Sequence, residues 1–156
     1  MTFQLTGLPA ESFAPYFAMS EADLLAEGAE MLIADNSDPG FPCRVSLQHA
    51  TPGERVLLLN YAHLPVNTPY RSAHAIFVAE TSAQATLDVN EVPAPLLVRT
   101  LSVRAFDKVH MMIDADVVEG RSASNLIERF FTDPATDYIH IHYAKRGCYA
   151  AKAVRA

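Results

Sequence analysis

The 156-residue sequence has no tryptophan, only two cysteines and six glycines, and no long apolar run. So few cysteines exclude a disulfide-stapled framework, and Cys43 and Cys148, 105 positions apart, fit neither a zinc-ligand nor a C-x-x-C spacing. The missing G-x-G-x-x-G, P-loop, G-x-S-x-G, EF-hand and H-E-x-x-H patterns remove the commonest nucleotide, hydrolase, calcium and zinc-protease signatures. The most apolar stretch, Val56 to Leu59, is too short to span a bilayer, and Met1-Thr2-Phe3-Gln4-Leu5 lacks the regions of a secretory leader. Basic charge is also scarce: twelve Lys and Arg against eighteen Asp and Glu give a net charge of −6, with the cations dispersed. Nucleic acid and anionic membrane need a concentrated basic patch, so both are poor partners. A cytoplasmic location is the expectation.

Half the residues are hydrophobic and 19% are charged, which suits one folded domain over residues 1–156. Extended patterns run over Phe3–Leu8, Phe41–Leu47, Arg55–Tyr61, His74–Ala79, Tyr138–Tyr143 and Cys148–Val154. Ser20, with Asp23 three residues on, caps a short helix, and Leu126, Ile127, Phe130 and Phe131 form the stripe of a principal helix over about 122–132. Leu101–Val117 reads as a hairpin. Its odd positions are apolar on both arms, so a three- or five-residue connection is expected to pair odd with odd. Arg104, His110, Met112, Asp114 and Asp116 then share the other face, with Asp114 a cross-strand partner for Arg104. The class is α+β: a mainly antiparallel sheet, one principal helix and short N-terminal helical segments.

The residues with chemistry to offer are scattered. His140 and His142 point to one side of a strand, where they can act as acid and base or ligate a metal with His74 or an Asp. No spacing demands a metal, so none is assigned, and a polar sheet face or interface explains the pair as well. Cys43 beside Arg44 is a candidate thiolate nucleophile, although neighbours on a strand point to opposite faces. Tyr70 and Arg71 lie in a loop before a buried strand, and with Arg44, Arg104 and Arg146 they can present guanidinium forks to a carboxylate or phosphate. Asp114 and Asp116 read as an acidic hairpin face.

Phe41-Pro42-Cys43-Arg44, Gly53 to Tyr61, Tyr70-Arg71, Ile76-Phe77-Val78, Leu101 to Asp107 and Gly147 to Ala151 together resemble a bacterial family catalogued as domain of unknown function 1203. The resemblance runs over nearly the whole chain and implies a stand-alone protein of this length. It brings no activity, cofactor or catalytic residue. The family pattern has Gly-Pro at His74-Ala75, so a site built on His74 is not implied as a family trait.

The leading expectation is a small-molecule pocket at one end of the sheet, favouring an anion and lined by Cys43, Arg44, Tyr70, Arg71, His140 and His142, with Arg104 and Cys148 as further ligand contacts. Whether such a protein is an enzyme stays open. The alternatives are an assembly module that dimerises through the Tyr138/His140/His142 face and a redox-responsive Cys43/Cys148 pair.

Overall fold

The period-2 segments of the chain pair into two antiparallel sheets, as a computed structural model of residues 1–156 shows. The first sheet has the order β1-β8-β7-β5-β6, from β1 (Phe3–Thr6), β5 (Thr100–Phe106), β6 (Met112–Glu119), β7 (Tyr138–Tyr143) and β8 (Tyr149–Arg155). The second is β2-β3-β4, from β2 (Glu30–Ile33), β3 (Arg55–Leu64) and β4 (Ser72–Ala79). The α+β reading with a mainly antiparallel architecture holds.

Three short α-helices complete it: α1 (Glu21–Ala26), α2 (Ala94–Leu97) and α3 (Ala123–Phe130). Ser20 caps α1 as its sequence predicts, its Oγ accepting from the Asp23 amide at 3.1 Å. The stripe Ala123, Leu126, Ile127 and Phe130 of α3 packs on one face of the larger sheet, against Leu101, Val103, Ile139 and Ile141. A second core forms on β3 and β4, where Leu57, Leu59, Ile76 and Val78 meet Phe13, Leu24, Cys43 and Val45.

Two sequence readings need correction. Phe41–Leu47 is not a strand: Pro42 and Cys43 make only isolated bridges, to His49 and Phe77, and the chain then turns, with Leu47 at φ 54°. Pro42 lacks the amide a ladder needs. The hairpin parity is also reversed. Its connection has the expected five residues, 107–111, and pairs Phe106 with Met112, but Ile113 then stands unpaired as a bulge. Beyond it Ala105 faces Asp114, Arg104 faces Ala115 and Val103 faces Asp116. Ile113 and Val117 are therefore exposed, and Asp116 instead meets Arg129 of α3 at 3.1 Å. Arg104 has no Asp114 partner; its Nε donates to Ser102 Oγ at 3.1 Å.

Candidate functional site

The register of β3 and β4 gives these strands two faces with different surroundings. Leu57, Leu59 and Tyr61 share one face with Val78, Ile76 and His74; Leu58 shares the other with Phe77, and Asn60 with Ala75. The second face, with Leu58, Ala75 and Phe77, forms a wall of a cleft of about 620 Å³.

The cleft is cationic. Arg44, Arg99, Lys145 and Arg146 line it against two carboxylates, Asp38 and Glu119, in a chain whose net charge is −6. Arg44 is the unusual member, because it is only 3% exposed. The turn that replaces the expected strand points its guanidinium inward, where Nε donates to the Tyr149 carbonyl at 2.8 Å and Nη1 to the Pro42 carbonyl at 2.5 Å. The three ion pairs of the molecule join Met1 to Glu128, Arg55 to Glu80 and Arg129 to Asp116, so no carboxylate neutralises it.

Removing an ion from water costs several kcal/mol unless a counter-charge or a full set of hydrogen bonds compensates. Burial accordingly lowers the Arg44 pKa, opposed by the Tyr143 phenol and the Cys148 and Cys43 thiols. A guanidinium nonetheless keeps its proton. Arg99 stands nearby, donating to His49 Nε2 at 2.9 Å and to the carbonyls of Pro95 and Pro39. Burial raises the Tyr143 pKa, and Arg44 and Arg99 oppose that rise.

The first face of β3 and β4 meets the first sheet at a cluster of histidines. Arg104 lies opposite His140 and Ser102 opposite His142 on β5 and β7, so all four share one face. A bulge at Ala150 brings Tyr149 opposite His142, on that same face. From the other sheet come His74, paired with Tyr61, and His63, the next odd position after Tyr61, at a second bulge where Ala62 and His63 together oppose Ala73. His63 then lies 4.8 Å from His74, 4.9 Å from His142 and 5.3 Å from His140, centroid to centroid, and stacks on Tyr149 at 5.1 Å.

Desolvation is the first cause of every shift in this cluster. His63 falls to about 4, with His74 and Arg104 adding; His142 falls to about 3 although its bond to the Gly147 carbonyl opposes; His140 falls to about 2, and His74 falls as well. The imidazoles are neutral at pH 7.

Residues 40–155 match the family described as Protein of unknown function (DUF1203). The chain belongs to the DUF1203 family. The match takes in all four histidines and every cationic cleft residue, while Ser37, Asp38 and Pro39 at the cleft rim precede it. No curated protein and no solved structure matches the chain.

The single hollow expected from sequence is thus divided between two places. Arg44 and Cys148 line the cleft; His140, His142 and Arg104 belong to the histidine cluster on the opposite face of β3 and β4. Cys43 lies in the second core, where its Sγ accepts from the Ala79 amide at 3.3 Å. Tyr70 packs edge-on to Phe106 at 6.2 Å, and Arg71 is exposed. Both cysteines are free. Tyr138, His140 and His142 are 4%, 3% and 0% exposed, so the face expected to dimerise is buried inside the chain. No helix is long and apolar enough to cross a membrane. Sequence reasoning passed over His63 and Arg99. His63 carried a signal, since it continues the odd-numbered row Leu57, Leu59, Tyr61 with a polar residue; Arg99, in a connection between α2 and β5, carried none.

Proposed function

We propose that this protein binds a small anionic molecule, a carboxylate or phosphate compound, in the cleft between Arg44 and Arg99. The observation that carries the reading is the buried guanidinium of Arg44, which has no carboxylate partner at the wall of a ligand-sized cavity. An oxyanion accepting from its unoccupied N–H groups supplies the missing counter-charge, in the charge-assisted geometry that planar guanidinium favours. Four cations against two carboxylates support the same sign of ligand, and Leu58, Ala75, Phe77 and Val98 offer apolar surface to the rest of it. The two free cysteines support a cytoplasmic setting.

The test is a thermal-shift screen of mono- and dicarboxylates and phosphate esters against the wild type and Arg99→Gln. A ligand at a hundredfold excess over its Kd stabilises by about 2.7 kcal/mol, roughly 5–10 °C for a chain this size. One anion class is expected to shift the wild type and to shift Arg99→Gln much less. Equal shifts in both proteins, or none with any anion, would contradict the proposal.

A further inference from the structure

The histidine cluster is separate from the cleft and has the properties of a metal centre. Ring nitrogens of His63, His74 and His142 lie within 4.8 Å of one another, around the roughly 3.4 Å that a tetrahedral ion with bonds near 2.05 Å imposes on its ligands. His63 Nε2 and His74 Nδ1 are already 2.8 Å apart. All three side chains come from strands, which hold their backbones in place around this point.

The hydrogen bonds of the cluster leave one ring nitrogen without a partner. His142 is fully buried, its Nδ1 donates to the Gly147 carbonyl at 2.9 Å, and its Nε2 is the one buried side-chain polar atom of the molecule without a partner. A buried acceptor left unsatisfied costs about 1–3 kcal/mol, so its retention calls for a partner that the chain does not supply. His63 Nδ1 meets His140 Nδ1 at 3.3 Å, which leaves His63 Nε2 directed at His74 and, at 3.0 Å, at Ser72 Oγ. A second nitrogen bonded to a carbonyl or another side chain is what fixes the tautomer of metal-ligating histidines.

We propose that His63, His74 and His142 bind one divalent transition-metal ion of the zinc class, with a fourth position open to a small anion. Imidazole nitrogens without a carboxylate or carbonyl exclude magnesium and calcium, which require oxygen ligands. An ion held by three neutral imidazoles keeps its full charge, and three ligands leave a tetrahedral ion one position at which an anion offsets it. His140, bonded to His63, is a positioning residue.

The experiment uses the full chain, stripped with chelator and titrated with Co²⁺, whose visible absorption in a low-symmetry site reports direct ligation. Absorption is expected to saturate at one ion per chain, to change on adding azide, and to require at least tenfold more Co²⁺ in His74→Gln. Because His142 variants are at risk of misfolding, the half-buried His74 carries the test, with an unchanged melting temperature of the metal-free variant as the folding control. Absorption that never appears, that rises without saturating, or that is unchanged from the wild type in both His74→Gln and His63→Gln overturns the site. A saturating spectrum that azide leaves unmoved overturns the open fourth position.

Discussion

The guanidinium carbon of Arg44 lies 4.9 Å from the centre of the Tyr143 ring, and Arg99 reaches the same ring at 5.1 Å. Two cations share one aromatic partner and no anion. A cation–π contact contributes about 0.5–2 kcal/mol, less than the several kcal/mol of burying a charge, so the arrangement is one that a bound oxyanion completes.

Arg44→Lys separates charge from shape. Lysine keeps the positive charge but cannot span the Tyr149 and Pro42 carbonyls and still present a fork to a ligand. Calorimetric titration with the anion that stabilises the wild type is expected to give at least a tenfold weaker Kd, about 1.4 kcal/mol. An unchanged Kd would mean that charge alone suffices.

Gly7 holds the Arg44 turn against β1. The Leu8 amide donates to the Arg44 carbonyl at 2.8 Å, and a Cβ on Gly7 would stand 1.8 Å from the Val45 carbonyl oxygen. Both atoms belong to backbone, so Gly7→Ala must displace the turn and is expected to destabilise by about 2–3 kcal/mol. Urea unfolding measures it, and a change below about 0.5 kcal/mol would contradict the packing described.

By contrast, Asp116→Asn removes an ion pair with Arg129 whose side chains are 53% and 61% exposed. Such pairs contribute less than about 1 kcal/mol. The same urea assay should register little for this variant; a loss above 1.5 kcal/mol would show that the hairpin leans on this pair.

Acid should unfold the protein through its buried histidines. His140 and His142 titrate at about 2 and about 3 in the folded chain, against roughly 6.5 when unfolded. Below pH 6.5 the unfolded chain therefore binds protons that the folded chain refuses, and stability falls as pH drops from there toward 3. His63, His74, Arg104 and Lys152 surround the pair without a carboxylate to reverse the sign. Between pH 7.5 and 5.5 the two rings together are expected to cost about 2–3 kcal/mol in metal-free protein. A flat urea midpoint over that range would contradict their burial as neutral rings.

Much of the fold was legible in local pattern. The capping pair Ser20/Asp23, the stripe of α3 and the alternation of β7 each depend on neighbours a few residues apart, and each appears where expected. The errors have local causes that composition hides: a bulge changes parity without changing composition, and Pro42 withholds the amide that a strand over 41–47 would need. Ile113 reversed the faces of β6, and Ala150 brought Tyr149 to His142. The division between cleft and cluster depends on which face of β3 and β4 each partner meets, and long-range docking of that kind leaves no mark in sequence spacing. In sequence Arg44 is a neighbour of Cys43 and one of several guanidinium forks that can meet a carboxylate or phosphate, whereas the structure singles it out through burial without a counter-charge.

The most direct measurement is nuclear magnetic resonance of the arginine side-chain Nε–H groups during titration with phosphate or a dicarboxylate. The Arg44 Nε–H is held by the Tyr149 carbonyl, which favours its observation. Saturable shifts of the Arg44 and Arg99 signals, with those of Arg121 and Arg129 unmoved, are the predicted result. Signals that all drift together, or an Arg44 signal that does not respond to any anion, would contradict an oxyanion site in the cleft.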